Sequence, residues 1–408
     1  MKQFDIPEFY RSPVITVVKQ ARQKEDPRKK DFTPALLDYG PVQFIIPRHF
    51  GFCYGVENAI EIAYKAMNEN KGKRIFLLSQ MIHNPGVNKD LQENGIDFIQ
   101  DTLGNQLIDW DEIHADDVVI IPAFGTTLEI EKLLEEKGVT TSTYNTTCPF
   151  VERVWNRTEK LGKDEYAIVI HGKPQHEETR ATFSHSSENA PSLIVRDMKE
   201  AQIACSFIKG ERNWEEFDSF FEGRYSDGFI PREHLLKVGV VNQTTMLAAD
   251  TQEIADLFKQ TMIDVFGADN LKSHFADTRD TLCYATYDNQ RATNGTLEVD
   301  AHMALVVGGY NSSNTSHIVE LCERKFPTYF ISGAEEIDDD GSIHHFDYPN
   351  KQMLHSTPEL KGDPFRIVLT SGASCPDSAV ERVMKRMLEF FPGSRSHEEV
   401  IEQYRQLN

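Results

Sequence analysis

An α/β fold of parallel sheets divided into three modules is predicted by three features of this chain. Short apolar runs alternate with amphipathic helical patterns along its length. Most of these runs end in a cluster of glycine, hydroxyl and amide residues. Three cysteines, Cys53, Cys148 and Cys283, recur at junctions of this kind, 95 and 135 residues apart. Alternation of strand and helix means parallel sheets with helices on both faces.

The elements follow in order. Val42 to Ile46 reads as a buried strand, and Val56, Ala59, Ile60, Ala63 and Met67 then keep one helical face at steps of three and four. Val118 to Ile121 is a second strand, followed by a helix carrying Leu128, Ile130, Leu133 and Leu134. Tyr166–Ile170, Leu236–Val241, Met303–Val307, Tyr329–Ile331 and Phe365–Leu369 are further strands. Pro149 and Pro376 fall where a helix would begin, which suits the first helical position. Residues 198–235 are polar and aromatic and read as a surface excursion. Residues 333–364 read likewise, with Asp338-Asp339-Asp340-Gly341 marking a turn. The predicted organisation is an N-terminal extension over 1–41, modules over 42–148, 149–279 and 280–391, and a C-terminal tail over 392–408. The extension either packs over the body or serves an interface.

Composition narrows the class. With 408 residues, 39% hydrophobic and 26% charged, the chain can bury a large core split into two or three units. No apolar run approaches the ~18 residues a membrane span needs. The start lacks the charged-then-apolar pattern of a signal peptide. Six scattered cysteines do not make a secreted disulfide scaffold. A cytoplasmic protein with no membrane partner is expected. The net charge of −21 repels long nucleic acids. The one basic cluster, Arg28-Lys29-Lys30, lies beside acids and reads as a solvated loop.

Glycine lets backbone approach a bulky ligand, and a helix start presents free N–H groups to anionic sulfur. Three thiolates delivered in this way can hold three corners of a metal cluster and leave the fourth open. The polar clusters sit at the carboxyl ends of strands, where open α/β sheets bind ligands. They are His171-Gly172-Lys173-Pro174-Gln175-His176-Glu177-Glu178-Thr179, Asn242-Gln243-Thr244-Thr245, Gly308 to Ser316, and Thr370-Ser371-Gly372-Ala373-Ser374. Such residues at helix starts suit a phosphate or diphosphate. Ordinary N-capping is the better explanation of any one cluster, and only four clusters with three cysteines on the same edge shift the balance towards a ligand.

Seven motifs occur in one order: Gly51-Phe52-Cys53-Tyr54-Gly55-Val56, His83-Asn84-Pro85, Thr147-Cys148-Pro149, His176-Glu177-Glu178, Gln243-Thr244-Thr245, Asn311-Ser312-Ser313-Asn314 and Ser371-Gly372-Ala373-Ser374-Cys375-Pro376-Asp377. Together they resemble the 4-hydroxy-3-methylbut-2-enyl diphosphate reductase family, which performs the last step of the non-mevalonate isoprenoid pathway. The resemblance spans roughly residues 42–391 and is nearer the plant and cyanobacterial branch. It implies three pseudo-threefold-related α/β modules with parallel sheets around a central iron–sulfur cluster. Cys53, Cys148 and Cys283 would ligate a 4Fe–4S cluster with one open iron. His83, His176, Ser312, Ser313, Asn314 and Ser374 would bind the substrate diphosphate. Thr244 would contact the substrate hydroxyl region, and Glu178 would start the proton relay with Thr244. The reaction implied is reductive dehydroxylation to isopentenyl and dimethylallyl diphosphates, with two electrons and two protons. A ferredoxin or flavodoxin-type carrier would donate the electrons.

One departure stands out. Many members carry a histidine in a Ser-Ala-His-Gly turn, where this chain has Pro122-Ala123-Phe124-Gly125-Thr126-Thr127. A diphosphate donor is thereby replaced by an aromatic ring, with Thr126 or Thr127 as partial substitutes, and the resemblance to the plant-like branch makes this a subtype difference. Cys205 and Cys322 read as buried small hydrophobes, and the Cys375 thiol needs no role. His171 and His185 read as structural histidines, and His344-His345 as a solvated loop. Two other readings stay open. A hydro-lyase with an open-iron cluster would need a carboxylate-binding arginine set, and a cluster-bearing redox sensor would not need four phosphate-type turns.

Overall fold

The computed structural model describes residues 4–278, 281 and 283–406. The module boundary expected at 279 and 280, and Asp280 and Leu282 near the third cysteine, lie outside those residues. In chain order the strands are β1 (Ala35–Asp38), β2 (Val42–Ile46), β3 (Ile75–Leu77), β4 (Ile96–Phe98) and β5 (Val118–Ile120). Then come β6 (Ala167–His171), β7 (Ser192–Val195), β8 (Val238–Asn242), β9 (Phe275–Ala276) and β10 (Met303–Val307). The last four are β11 (Thr328–Ile331), β12 (Ile343–Asp347), β13 (Gln352–Ser356) and β14 (Phe365–Ser371). No helix among the described residues is long and apolar enough to cross a membrane.

The chain forms two compact units. The first contains Met1–Glu57, Ile82–Asp90 and Tyr284–Asn408. Its sheet runs β1-β2-β14-β10-β11, parallel except for the β1–β2 pair. Alternate residues of β10 serve opposite cores. Met303, Leu305 and Val307 join Phe44, Ile367 and Leu369 on one face, whereas Ala304 and Val306 join Ile45 and Val368 on the other. Burial on both faces explains why these strands read as continuous apolar runs.

The serial division into modules does not describe this sheet. β2, expected to open the first module, pairs with β14 of the last, with Val42 opposite Phe365 and Ile45 opposite Val368. β2 and its antiparallel neighbour β1 cover an edge of β14 that would otherwise expose unpaired backbone groups. The N-terminal extension packs over the body. Its helix Pro13–Glu25 buries Val14, Ile15, Val18 and Ala21 in the core that also takes Val400, Ile401 and Tyr404 of helix His397–Arg405.

The second unit contains Asn58–Met81 and Leu91–Cys283. It holds two parallel sheets, β4-β3-β5 and β7-β6-β8-β9. In β6, Ala167 and Val169 face one core and Ile168 and Ile170 the other. The supposed excursion at 198–235 is a packed element instead. Helix Met198–Ile208 and the fully buried Phe217 and Phe221 complete the core under β6 and β7. Its aromatic residues sit in short turns rather than at a regular period, which hides their burial from the sequence. Residues 333–364 lie largely at the surface, where β12 and β13 form an antiparallel hairpin after the turn at Asp338–Gly341, but Ile337 and Ile343 reach into the core of the first unit.

Candidate active site

In the first unit, Cys53 follows β2 and directly precedes helix Tyr54–Glu69, whose first turn closes on it through the Glu57 N–H, 3.0 Å from the Cys53 carbonyl. The approach requires Gly51. Its φ is +76°, and a β-carbon there would meet the Asp377 carboxylate that Lys19 holds at 2.7 Å. The Cys53 N–H reaches the Ala373 carbonyl at 3.3 Å, which ties the thiol-bearing turn to the loop after β14.

That loop carries Ser374, whose hydroxyl donates to the His83 carbonyl at 3.0 Å. The Ala373 N–H donates to Asn314 Oδ1 at 2.8 Å. Asn314 lies in the first turn of helix Ser313–Glu323, and its Nδ2 is buried without a hydrogen-bond partner among the described residues. A buried donor left unpaired costs roughly 1–3 kcal/mol, so this position favours an acceptor supplied by a ligand. Ser312 does what a capping residue does, taking the Thr315 N–H at 3.2 Å. Ser313 is buried beside it. Thr315 is wedged between strand ends, so that β-carbons at Gly308 and Gly372 would both strike it. His83, Asn314, Ser374 and the Cys53 backbone are thus linked through one loop.

In the second unit, Cys148 caps helix Pro149–Lys163 with Pro149 at its first position, and the Cys148 N–H donates to the Ala123 carbonyl at 3.0 Å. The next residue, Phe124, sets its ring edge-on to His176, with centroids 5.5 Å apart. His176 caps helix Glu177–Ser187 by accepting the Glu178 N–H at Nδ1, 3.2 Å away. Glu178 is 1% exposed and accepts the backbone N–H of Thr244. Burial raises its pKa to about 7 against the opposing hydrogen bonds from Thr244. Thr126 and Thr127 line a neighbouring cleft with Ser79, Glu177 and Arg180. The Thr126 carbonyl bonds to His185 Nε2 at 3.1 Å.

Cys283 is buried and directly precedes helix Tyr284–Thr296. Thr281, two residues earlier, donates to Asn242 Oδ1 at 2.8 Å at the end of β8, two residues from Thr244. The segments bearing Cys283 and Thr244 are therefore joined through Asn242. Sequence reasoning gave Asn242, Thr281 and Thr315 no individual role. Asn242 and Thr315 signalled only as members of polar clusters, and Thr281 only as a neighbour of Cys283.

The six cysteines divide cleanly, and none forms a disulfide. Cys205, Cys322 and Cys375 lie in hydrophobic cores, where burial pushes their thiols up to about 11, 12 and 12. Cys53, Cys148 and Cys283 each stand at a helix start instead, and Cys53 and Cys148 are only half-buried. Helix starts favour thiolate, the form that binds iron. His171 and His185 are structural, the first bonded to Thr251 at 2.9 Å and the second stacked on Trp155 with centroids 3.6 Å apart.

A family model described as LytB protein matches residues 44–388. A protein of Cyanothece sp. (strain PCC 7425 / ATCC 29141), named 4-hydroxy-3-methylbut-2-enyl diphosphate reductase, is 39% identical over 355 residues, covering 85% of this chain and 84% of its own. A protein of the same name from Synechococcus sp. (strain RCC307) is 40% identical over 355 residues, covering 86% of this chain and 85% of its own. The solved structure of the E-1-hydroxy-2-methyl-but-2-enyl-4-diphosphate reductase from Plasmodium falciparum is similar in fold, with a TM-score of 0.61 at 21% identity over 87% of this chain and 89% of that one.

Proposed function

The chain belongs to the LytB protein family, and from that premise we propose that it reduces (E)-4-hydroxy-3-methylbut-2-enyl diphosphate to isopentenyl and dimethylallyl diphosphates. Two electrons and two protons enter. The bond from carbon to the allylic hydroxyl breaks, one proton leaves with that oxygen as water, and the other ends on carbon. Glu178 carries this reading. An allylic hydroxyl departs only with a proton, and a buried carboxyl with a pKa of about 7 is half protonated at neutral pH. The Thr244 backbone N–H holds the carboxyl beside the end of β8, and the Thr244 side chain, which also bonds to Glu178, passes the proton on through its hydroxyl.

We assign a 4Fe–4S cluster to Cys53, Cys148 and Cys283. The donor set fits, because these three thiols stand at helix starts whereas the other three are sealed in cores. When bound, such a cluster supplies electrons and, at an iron without a protein ligand, a Lewis acid for the departing hydroxyl. His83, His176, Ser312, Ser313, Asn314 and Ser374 bind the diphosphate, to which Asn314 Nδ2 offers an otherwise unpaired donor. Anchoring the far end of the substrate turns remote binding energy into positioning of its hydroxyl. Electrons arrive from a ferredoxin or flavodoxin-type carrier, and the cytoplasm suits thiols kept out of disulfides.

The deciding experiment is a Mössbauer spectrum of iron-57-labelled protein, prepared without oxygen, before and after substrate is added. A four-iron cluster with one distinct iron whose signal moves on addition supports the proposal. Protein that binds no iron after anaerobic reconstitution overturns it.

A further inference from the structure

We propose that Asp338, His344 and His355 form a surface site for one divalent transition-metal ion of the zinc class, separate from the cysteine set. His344 on β12 lies directly opposite His355 on β13. Opposed residues of an antiparallel pair share a face, so both imidazoles stand on the same side of the hairpin. Their rings stack with centroids 4.4 Å apart at 26°. Asp338, in the turn before β12, places Oδ2 2.9 Å from His344 Nε2 and 3.4 Å from His355 Nε2. The three candidate ligand atoms all lie within 4.8 Å of one another.

These separations match what an ion requires. Zinc bonds of about 2.0–2.1 Å in a tetrahedron set neighbouring ligand atoms about 3.3 Å apart. Both separations between histidine and aspartate fall within about half an ångström of that value. The carboxylate is held for the purpose by outer partners. The Ser342 hydroxyl is shared between Asp340 Oδ1 at 2.5 Å and Asp338 Oδ2 at 3.2 Å, and the Asp338 N–H is fixed on the Ser342 carbonyl at 2.9 Å. Neighbouring groups are engaged elsewhere: Asp339 pairs with Arg386 at 2.7 Å, Asp340 accepts the Ser342 N–H at 2.9 Å, and His345 bonds to Ser356 at 2.9 Å.

Two imidazoles with one carboxylate suit Zn²⁺, Ni²⁺ or Cu²⁺ rather than Mg²⁺ or Ca²⁺. The side chains of Asp338, His344 and His355 are 45%, 45% and 53% exposed, so an ion can enter from solvent and water can complete its coordination. A net charge of −21 enriches cations at the surface. Once bound, the ion ties the turn at Asp338 to both strands of the hairpin and acts as a clip on this segment.

The test uses tag-free, cluster-loaded protein, so that Cys53, Cys148 and Cys283 are occupied. Zn²⁺ is titrated calorimetrically, and Co²⁺ is followed by its visible spectrum. One zinc per chain is expected, with a cobalt spectrum free of thiolate charge-transfer bands. Asp338→Asn and His355→Ala should each weaken zinc binding roughly tenfold or more, since a direct ligand is worth at least as much as an outer partner. His345→Ala should leave it unchanged, and iron content should stay constant throughout. Zinc should also slow amide exchange over residues 343–356 in the wild type. Equal zinc binding by Asp338→Asn and wild type, thiolate bands with cobalt, or binding without slowed exchange in the hairpin would each overturn the site.

Discussion

The group around Asn314 and the group around Glu178 are both buried, both lie where strands hand over to helices, and both are made of short polar side chains. Their chemistry differs. Asn314 and Ser374 offer an amide and a hydroxyl, which carry no charge at any pH of interest and are fixed by bonds to Ala373 and His83. Glu178 is a carboxyl that burial has moved to about 7, so its protonation state is open to change. Fixed neutral donors suit an anion that must be held in one place. A carboxyl poised near neutrality suits a proton that must leave. Binding and proton transfer should therefore be separable by mutation.

The largest effect is expected from Glu178→Gln, which keeps the shape and removes the proton. General acid catalysis contributes about 10²–10⁴-fold, so kcat should fall by that order while KM stays within a few-fold. A rise in KM with intact kcat would show that Glu178 only positions substrate. The same substitution reports on stability. A carboxyl whose folded pKa is raised contributes stability that is complete below its unfolded value near 4.5 and is lost as pH rises through about 7. Above that range the ionised form costs about 3 kcal/mol, at about 1.4 per pH unit. Glu178→Gln should therefore melt higher than wild type at about pH 8 and no higher at about pH 4. Equal melting temperatures at both would show that the carboxyl is not desolvated.

Asn314→Ala should act mainly on substrate binding. A hydrogen bond to a charged group is worth about 1.5–3 kcal/mol, so KM should rise about ten- to a hundredfold with kcat little changed. Ser374→Ala should behave similarly but more mildly, because its hydroxyl is already committed to the His83 carbonyl. If Asn314→Ala lowers kcat and leaves KM alone, the division of labour between the two groups fails.

How much of this was legible beforehand depends on the range of the interaction. β10 announced itself because burial on both faces makes it an unbroken apolar run, and β14 did so through Ile367, Val368 and Leu369 despite Arg366. β4 and β7, three and four residues long, gave no periodicity to read. The polar clusters at 171–179, 242–245, 308–316 and 370–374 were visible because each follows a strand. What makes them act together was not visible. The Ser374 hydroxyl on the His83 carbonyl and the Thr281 hydroxyl on Asn242 join segments 291 and 39 residues apart. Likewise, the family resemblance pointed to Glu178, but only its burial shows why that carboxyl holds a proton at neutral pH.

The pH profile sharpens the comparison next. Activity that needs Glu178 protonated should fall about tenfold per pH unit on the alkaline side of about 7. Glu178→Gln should abolish that limb, whereas Asn314→Ala should retain it with its midpoint unmoved. An alkaline limb that survives Glu178→Gln would assign the titration to another group.

The smallest effect concerns Phe124, which stands where the family resemblance offers a histidine in many members. Phe124 lies edge-on to His176, one residue after the carbonyl that holds the Cys148 N–H. Phe124→His places a hydrogen-bond donor where the ring now stands and preserves an aromatic contact of similar size. If that position faces the diphosphate, one added donor should lower KM by about three- to tenfold, less than the full worth of a charged hydrogen bond because the new imidazole must also give up water. kcat should hold, since Glu178 and Thr244 keep their contact. An unchanged KM would mean that Phe124 serves only to hold His176, and that the anion is gripped by the Asn314 group without help from this turn.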